Sequence, residues 1–118
     1  MIHPSAFVDP SAEIGSDVTI GPGVYIGPNV TIGDDCVFHH HSSVVCNTRI
    51  GQRCVVHPGA VLGGDPQDKK WNGEETWAEI GSDNLFREHC TINRGTAQGG
   101  GVTRLGNGCL ILASSHEI

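Results

Sequence analysis

Apolar residues recur along this chain at every sixth position. Starting from Ile2 the series reads Ile2, Val8, Ile14, Ile20, Ile26, Ile32, Phe38, Val44, Ile50, Val56, Leu62. Four residues after each stands a small or β-branched side chain, as in Ala6, Ala12, Val18, Val24, Cys36 and Ala60. Glycine often follows the aliphatic residue directly: Gly15, Gly21, Gly27, Gly33, Gly51 and Gly63. A period of six fits neither an amphipathic helix nor an alternating strand. It is the hexapeptide repeat of a parallel β-helix. Each hexapeptide predicts a short strand and a corner, with the aliphatic side chain pointing into a narrow prism. Glycine is expected to relax the backbone where the chain turns. Three hexapeptides close a coil of eighteen residues, and coils stack about 4.8 Å apart. One coil cannot bury its own apolar edge, so stability requires several.

Two interruptions break the series. From Gly63 to about Trp77 the chain is polar and rich in turn residues, which predicts a loop thrown out from the prism. Ile80 lies eighteen residues after Leu62, so the six-residue phase survives, and Phe86 and Ile92 continue it. The second interruption covers residues 93–104. Leu105 stands thirteen residues after Ile92, a slip of one that marks an inserted loop. Leu105 and Ile111 restart the pattern. The next apolar slot is 117, which holds Glu117, so the register is expected to fail there and leave the last coil uncovered. Residues 1–118 thus read as a single β-helix domain. Pro4, Pro10, Pro22, Pro28 and Pro58 fall near corners, where a missing N–H is tolerated.

Composition narrows the function classes. A formal net charge of −6 with no basic run argues against nucleic acid and anionic membrane surfaces. No apolar run is long enough to span a bilayer, and the N-terminus lacks a signal-peptide pattern, so a cytoplasmic location is expected. The five cysteines include no C-x-x-C pair. Cys36 and Cys54 occupy the same small-residue slot on adjacent coils, and Cys90 and Cys109 fall in it too. They read as buried small apolar residues rather than disulfide or zinc partners.

The interruptions carry a resemblance. Gln67-Asp68-Lys69-Lys70-Trp71-Asn72-Gly73-Glu74 resembles the N-Q-D-x-K-[YF]-x-G-E loop of the acyl-carrier-protein-dependent UDP-N-acetylglucosamine O-acyltransferases, the first enzymes of lipid A synthesis. Ile92-Asn93-Arg94-Gly95-Thr96-Ala97-Gln98-Gly99-Gly100-Gly101-Val102-Thr103 resembles their T-I-H-R-G-T-x-x-G-G-G-x-T segment. The opening Met1-Ile2-His3-Pro4-Ser5-Ala6-Phe7-Val8 looks like their start. The resemblance covers essentially the whole chain but less than half of a complete family member.

The resemblance implies a left-handed parallel β-helix and a homotrimer with active sites between neighbouring prisms. The implied reaction moves a 3-hydroxyacyl group from acyl-carrier protein to the sugar 3-hydroxyl. A histidine acts as general base, a backbone N–H steadies the oxyanion, and neither metal nor organic cofactor takes part. Asp68 matches an acidic residue that contacts the sugar nucleotide, and Gln67 and Lys70 match its polar neighbours. Arg94 and Gly99-Gly100-Gly101 are expected to shape a loop. The family carries A-H-[IV]-A-H-D where this chain has Ser114-Ser115-His116-Glu117-Ile118. His116 matches the first, supporting histidine, and the general base would stand one position beyond Ile118. The later coils and helical domain of the family are likewise missing from this sequence, which is expected to be inactive by itself.

Two other readings stay open. One is a non-catalytic β-helix module that self-associates by strand-edge pairing at its uncovered coil. The other is a metal-dependent enzyme of the carbonic-anhydrase kind, using His39, His40, His41 and His57. His39 and His57 lie eighteen apart and so stack on one edge. The H-x-x-x-x-H pair of hexapeptide-repeat carbonic anhydrases is absent, which favours corner histidines facing solvent or a neighbouring subunit.

Overall fold

The structure, a computed structural model, describes residues 1–66, 73–96 and 100–117. All elements among these residues are short strands, gathered into three parallel sheets that form the sides of a left-handed prism. The first sheet holds Phe7–Val8, Tyr25–Ile26, Ser43–Val44, Val61–Gly64, Thr91–Asn93 and His116–Glu117. The second holds Glu13–Ile14, Val30–Ile32, Thr48–Ile50, Trp77–Ile80 and Val102–Leu105. The third holds Thr19–Ile20, Val37–Phe38, Val55–Val56, Leu85–Phe86 and Leu110–Ile111. The hand departs from the usual crossover rule for parallel strands.

The period of six becomes three columns of buried side chains. Pairs such as Val8↔Ile26, Ile32↔Ile50 and Phe38↔Val56 stack eighteen residues apart. Ile26, Val44, Val56, Leu62, Phe86 and Ile92 are wholly buried. The small slot fills the space beside them, with Cys36, Cys54, Ala60 and Cys90 also at zero exposure. All five cysteines are free thiols, and Cys46 and Cys109 are half-buried.

The slot has a second role that sequence reading missed. In one column its side chains satisfy corner carbonyls of the next coil. Cys36 Sγ donates to the Gly51 carbonyl at 3.2 Å, and Cys54 Sγ to that of Gly81 at 3.2 Å. One coil further, Asn84 stands in the same slot at 1% exposure. Its amide donates to the Gly81 and Gly106 carbonyls at 3.1 and 2.8 Å, and its Oδ1 accepts from Cys109 N at 2.7 Å. A buried amide so fully partnered costs little to hold.

The expected role of the glycines needs correction. Of the six, Gly63 takes the left-handed backbone conformation with φ of 71°, as expected, but Gly15, Gly21, Gly27, Gly33 and Gly51 do not. That conformation falls two residues later, at Asp17, Gly23, Asn29, Asp35, His41, Asn47, Arg53 and Gly59, one per corner. Most of these are Asp, Asn or Gly, the types that tolerate it best. At Gly27 and Gly33 glycine is required by close approach to the next coil instead. A Cβ on Gly33 would stand 2.7 Å from the Gly51 backbone in the next coil.

The register does not fail at Glu117. His116–Glu117 pairs in parallel with Thr91–Asn93, and Glu117 takes the place opposite Ile92. Backbone pairing with the coil below sets the register there, whatever residue fills the slot.

Candidate functional site

Both loops leave the prism at one corner, where the chain passes from the first sheet to the second. Thirty residues separate paired Ile50 and Ile80, where eighteen separate Ile32 and Ile50, so twelve extra residues leave after Gly64. Twenty-five separate Ile80 and Leu105, an excess of seven. The eighteen-residue gap between Leu62 and Ile80 is therefore one side of the prism plus the loop, not a whole coil.

The roots of the loops are built tightly. The strand Val61–Gly64 shifts register after Leu62, and Gly64 comes opposite Asn93. Arg94, 5% exposed, sits at this joint. Its N donates to the Gly64 carbonyl at 2.9 Å, its Nε reaches the same carbonyl at 3.4 Å, and its Nη2 bonds Asp65 Oδ1. A buried guanidinium needs such partners. Asn47 holds the far root: its Nδ2 donates to the Thr76 carbonyl at 3.1 Å, and its own carbonyl accepts from Ala78 N at 3.0 Å. Gly100 and Gly101 have φ of 96° and 78°, so the second loop turns through a conformation that suits glycine.

Gln67, Asp68 and Lys70 lie outside the described residues, as do Gly99 and the rest of 67–72 and 97–99. The structure places the residues flanking them. His116 is exposed, with Nδ1 2.5 Å from Thr91 Oγ1. It stands on the outer face of the first sheet, on the strand next to Thr91–Asn93, which in turn neighbours Val61–Gly64. Three adjacent strands thus present the root of one loop, the root of the other, and His116.

Along the second sheet a charged column, Arg49, Glu79 and Arg104, faces outward. Glu79 accepts from Arg49 Nη1 at 3.0 Å and from Arg104 Nε at 3.1 Å, and the Arg49 guanidinium lies 4.2 Å from the centre of the Trp77 ring. These side chains border an open groove of about 490 Å³. Sequence reading missed the column because the two loops hide the stacking. Only after their excess lengths are removed do Arg49, Glu79 and Arg104 fall in one row.

The histidine cluster takes the corner places expected of it. His39 and His57 stack with ring centres 5.1 Å apart, and exposed His40 and His41 meet edge to face at 5.6 Å. Among the described residues no group of three His, Cys, Asp or Glu side chains is placed to hold a metal. Burial, helped by the nearby Arg87 charge, pushes the His57 pKa below its ordinary 6.5, against the pull of Glu88 at 4.0 Å. A histidine with a depressed folded pKa binds fewer protons when folded. Its contribution to stability is present above about pH 6.5 and is lost as pH falls from there through the depressed value. The urea midpoint is therefore expected to drop between pH 7 and pH 5.5, and His57→Gln should reduce that drop. An unchanged pH slope in the variant would show that His57 has no part in it.

Comparison with known proteins places these features. Residues 2–99 match the family model described as the GMPPB C-terminal domain. The acyl-[acyl-carrier-protein]–UDP-N-acetylglucosamine O-acyltransferase of Xanthomonas euvesicatoria is 47% identical over 116 residues, covering 98% of this chain and 44% of that enzyme. The enzyme of that name from an Anaeromyxobacter species is 51% identical over 115 residues, covering 98% and 45%. The solved structure of the Acinetobacter baumannii protein LpxA superposes with a TM-score of 0.97 at 48% identity, over 98% of this chain and 45% of that one. The UDP-N-acetylglucosamine acyltransferase of Bacteroides fragilis gives 0.95 at 47% identity, with the same coverage. The chain spans less than half the length of these relatives. The chain thus belongs to the family described as the GMPPB C-terminal domain, and along nearly its whole length it is similar to the N-terminal part of the acyl-[acyl-carrier-protein]–UDP-N-acetylglucosamine O-acyltransferases.

Proposed function

We propose that this chain serves the transfer of a 3-hydroxyacyl group from acyl-carrier protein to the 3-hydroxyl of UDP-N-acetylglucosamine, the first step of lipid A synthesis, in the cytoplasm. The observation that carries this reading is likeness along nearly the whole chain, with a TM-score of 0.97 at 48% identity, to a structure from that family. In this reading the loop bearing Gln67, Asp68 and Lys70 holds the sugar nucleotide. Asp68 accepts from the sugar, and Gln67 and Lys70 line the cleft beside it. His116, tied through Nδ1 to Thr91 Oγ1, is a supporting residue. Removal of the hydroxyl proton belongs to the second histidine of the family motif, three positions further on and outside this sequence. The chemistry draws on no metal or organic cofactor.

The active unit in this reading is a homotrimer. An apolar column on the outer face of the third sheet supports lateral packing of prisms. Val37, Val55, Leu85 and Leu110 stand in register there, with Leu110 59% exposed and Leu112 beside it 63% exposed. Contiguous apolar surface of this kind marks interaction faces. No helix among the described residues is long and apolar enough to cross a membrane.

The test is titration with UDP-N-acetylglucosamine, followed by a transfer assay with 3-hydroxyacyl carrier protein on the protein that carries this sequence. Asp68→Ala is expected to weaken sugar-nucleotide binding by about tenfold or more, the worth of a charge-assisted hydrogen bond. Equal affinity in parent and variant would remove Asp68 from the site.

A further inference from the structure

We propose that Arg94 is a positioning residue that joins the two loops into one unit, so that the second loop sets the geometry of the first. The proposal rests on the reading that the first loop holds the sugar nucleotide.

The fold itself has no need of a cation at this corner. One coil below the first loop the same corner is closed by Val45, Cys46 and Asn47, with no charged group. Burying a guanidinium is costly unless its donors are met, so its presence points to a task at the loops. Every bond described for Arg94 crosses from one loop root to the other: N and Nε to the Gly64 carbonyl, Nη2 to Asp65. The far roots are stitched in the same way. Gly95 N donates to the Trp77 carbonyl at 3.1 Å, and Trp77 N to that of Gly101 at 2.8 Å. Gly101 N closes the second loop on the Thr96 carbonyl at 2.7 Å. Each loop is therefore held at both ends by the other.

The partner carboxylate makes this a device rather than a core contact. The Asp65 side chain is 65% exposed, while that of Arg94 is 6% exposed. Asp65 stands three residues before Asp68, and the bond from Arg94 Nη2 to its Oδ1 anchors the root from which the first loop leaves. Two buried polar atoms at the same corner, Thr76 Oγ1 and Asn93 Nδ2, have no hydrogen-bond partner among the described residues. Unsatisfied buried groups are rare in a corner built only for stability.

The experiment uses Asp65→Asn, which alters an exposed side chain and spares the buried one, with Arg94→Lys as a second variant that keeps the charge and loses the planar fork. Three quantities are read: thermal midpoint, affinity for UDP-N-acetylglucosamine, and amide exchange at 64–77 and 93–102. Asp65→Asn keeps an oxygen that can accept from the buried guanidinium but removes its countercharge, so it is expected to lower the thermal midpoint while the protein still folds, and to weaken binding about tenfold. It should speed exchange in both loops together, with no change in the coil containing Tyr25–Ile26. Arg94→Lys should move affinity and exchange in the same direction. Faster exchange confined to 64–77 in Asp65→Asn would overturn the coupling. So would parental affinity in Asp65→Asn while Asp68→Ala weakens binding, a result that leaves the sugar-nucleotide loop in place. If the parent itself does not bind the sugar nucleotide, the loop reading and the positioning role fail together, and the exchange pattern still decides whether the loops move as one.

Discussion

Gly27→Ala is expected to destabilise the protein by upwards of about 3 kcal/mol, because the new methyl group has no space between coils. A Cβ at Gly27 would stand 1.8 Å from the carbonyl oxygen of Val45 and 2.9 Å from its carbonyl carbon. The obstacle is backbone, which cannot rotate aside as a side chain would. It is also pinned on both sides. Gly27 N donates to the Val44 carbonyl at 2.8 Å, and Val45 N donates to that of Leu62 at 2.9 Å. Relief therefore requires parting two coils and lengthening ladder hydrogen bonds. Gly27 does not take a left-handed conformation, so backbone strain contributes nothing and the effect isolates close approach. Gly106 follows Leu105 in the equivalent place, yet a Cβ there meets nothing within 4 Å in this chain. Gly106→Ala is expected to stay within about 0.5 kcal/mol of the parent in urea unfolding. A Gly27→Ala protein as stable as Gly106→Ala would mean that the coil spacing yields more easily than its hydrogen bonds suggest.

Phe38→Ala should cost about 3–5 kcal/mol, at the upper end for core truncation. Phe38 is 1% exposed and stacks between Ile20 and Val56 in the third column. The usual relief, collapse of neighbours into the cavity, is blocked here. Each wall of the prism is a strand whose place is set by the coils above and below, so the void keeps most of its volume. Phe7 is an internal comparison. It is 48% exposed on the outer face and stacks on Tyr25 at 5.2 Å. Phe7→Ala forfeits one aromatic pair and is expected to cost about 1 kcal/mol. Equal losses from the two truncations in denaturant titration would contradict a close-packed prism.

The interior of the prism was legible because its chemistry is repetitive. Ile20, Phe38 and Val56 differ in shape but stand eighteen residues apart, and Phe86 and Ile111 join the same column once the twelve and seven inserted residues are removed. Features set by the neighbouring coil were harder to read. Gly27 was expected to relax a corner, yet it is selected by a carbonyl overhead, and the left-handed conformation falls at Asn29. The corner signal was present as Asp17, Gly23, Asn29, Asp35, Asn47 and Gly59 at the same interval of six. Glu117 showed the reverse: an unfavourable residue did not stop the strand, because pairing partners decide more than propensity. Arg94 was legible as a loop-shaping residue from motif likeness. Its burial and its bond to Asp65 were not, since they depend on two insertions meeting at one corner. Asp68, the residue on which the functional reading leans most, was visible through the resemblance alone.

The twelve and seven extra residues bear on how such a chain can change. Both leave at one corner, and after each the next strand returns to its row with the hydrogen-bond ladder intact. Nothing in the ladder counts the residues between Gly64 and Trp77. That corner behaves as a cassette port: segments of different length can be exchanged there while the coils on either side keep their pairing. The loops can then diverge in length and sequence without any rebuilding of the scaffold. The joint that must survive each exchange is small, namely the Gly64 carbonyl with the cation that caps it.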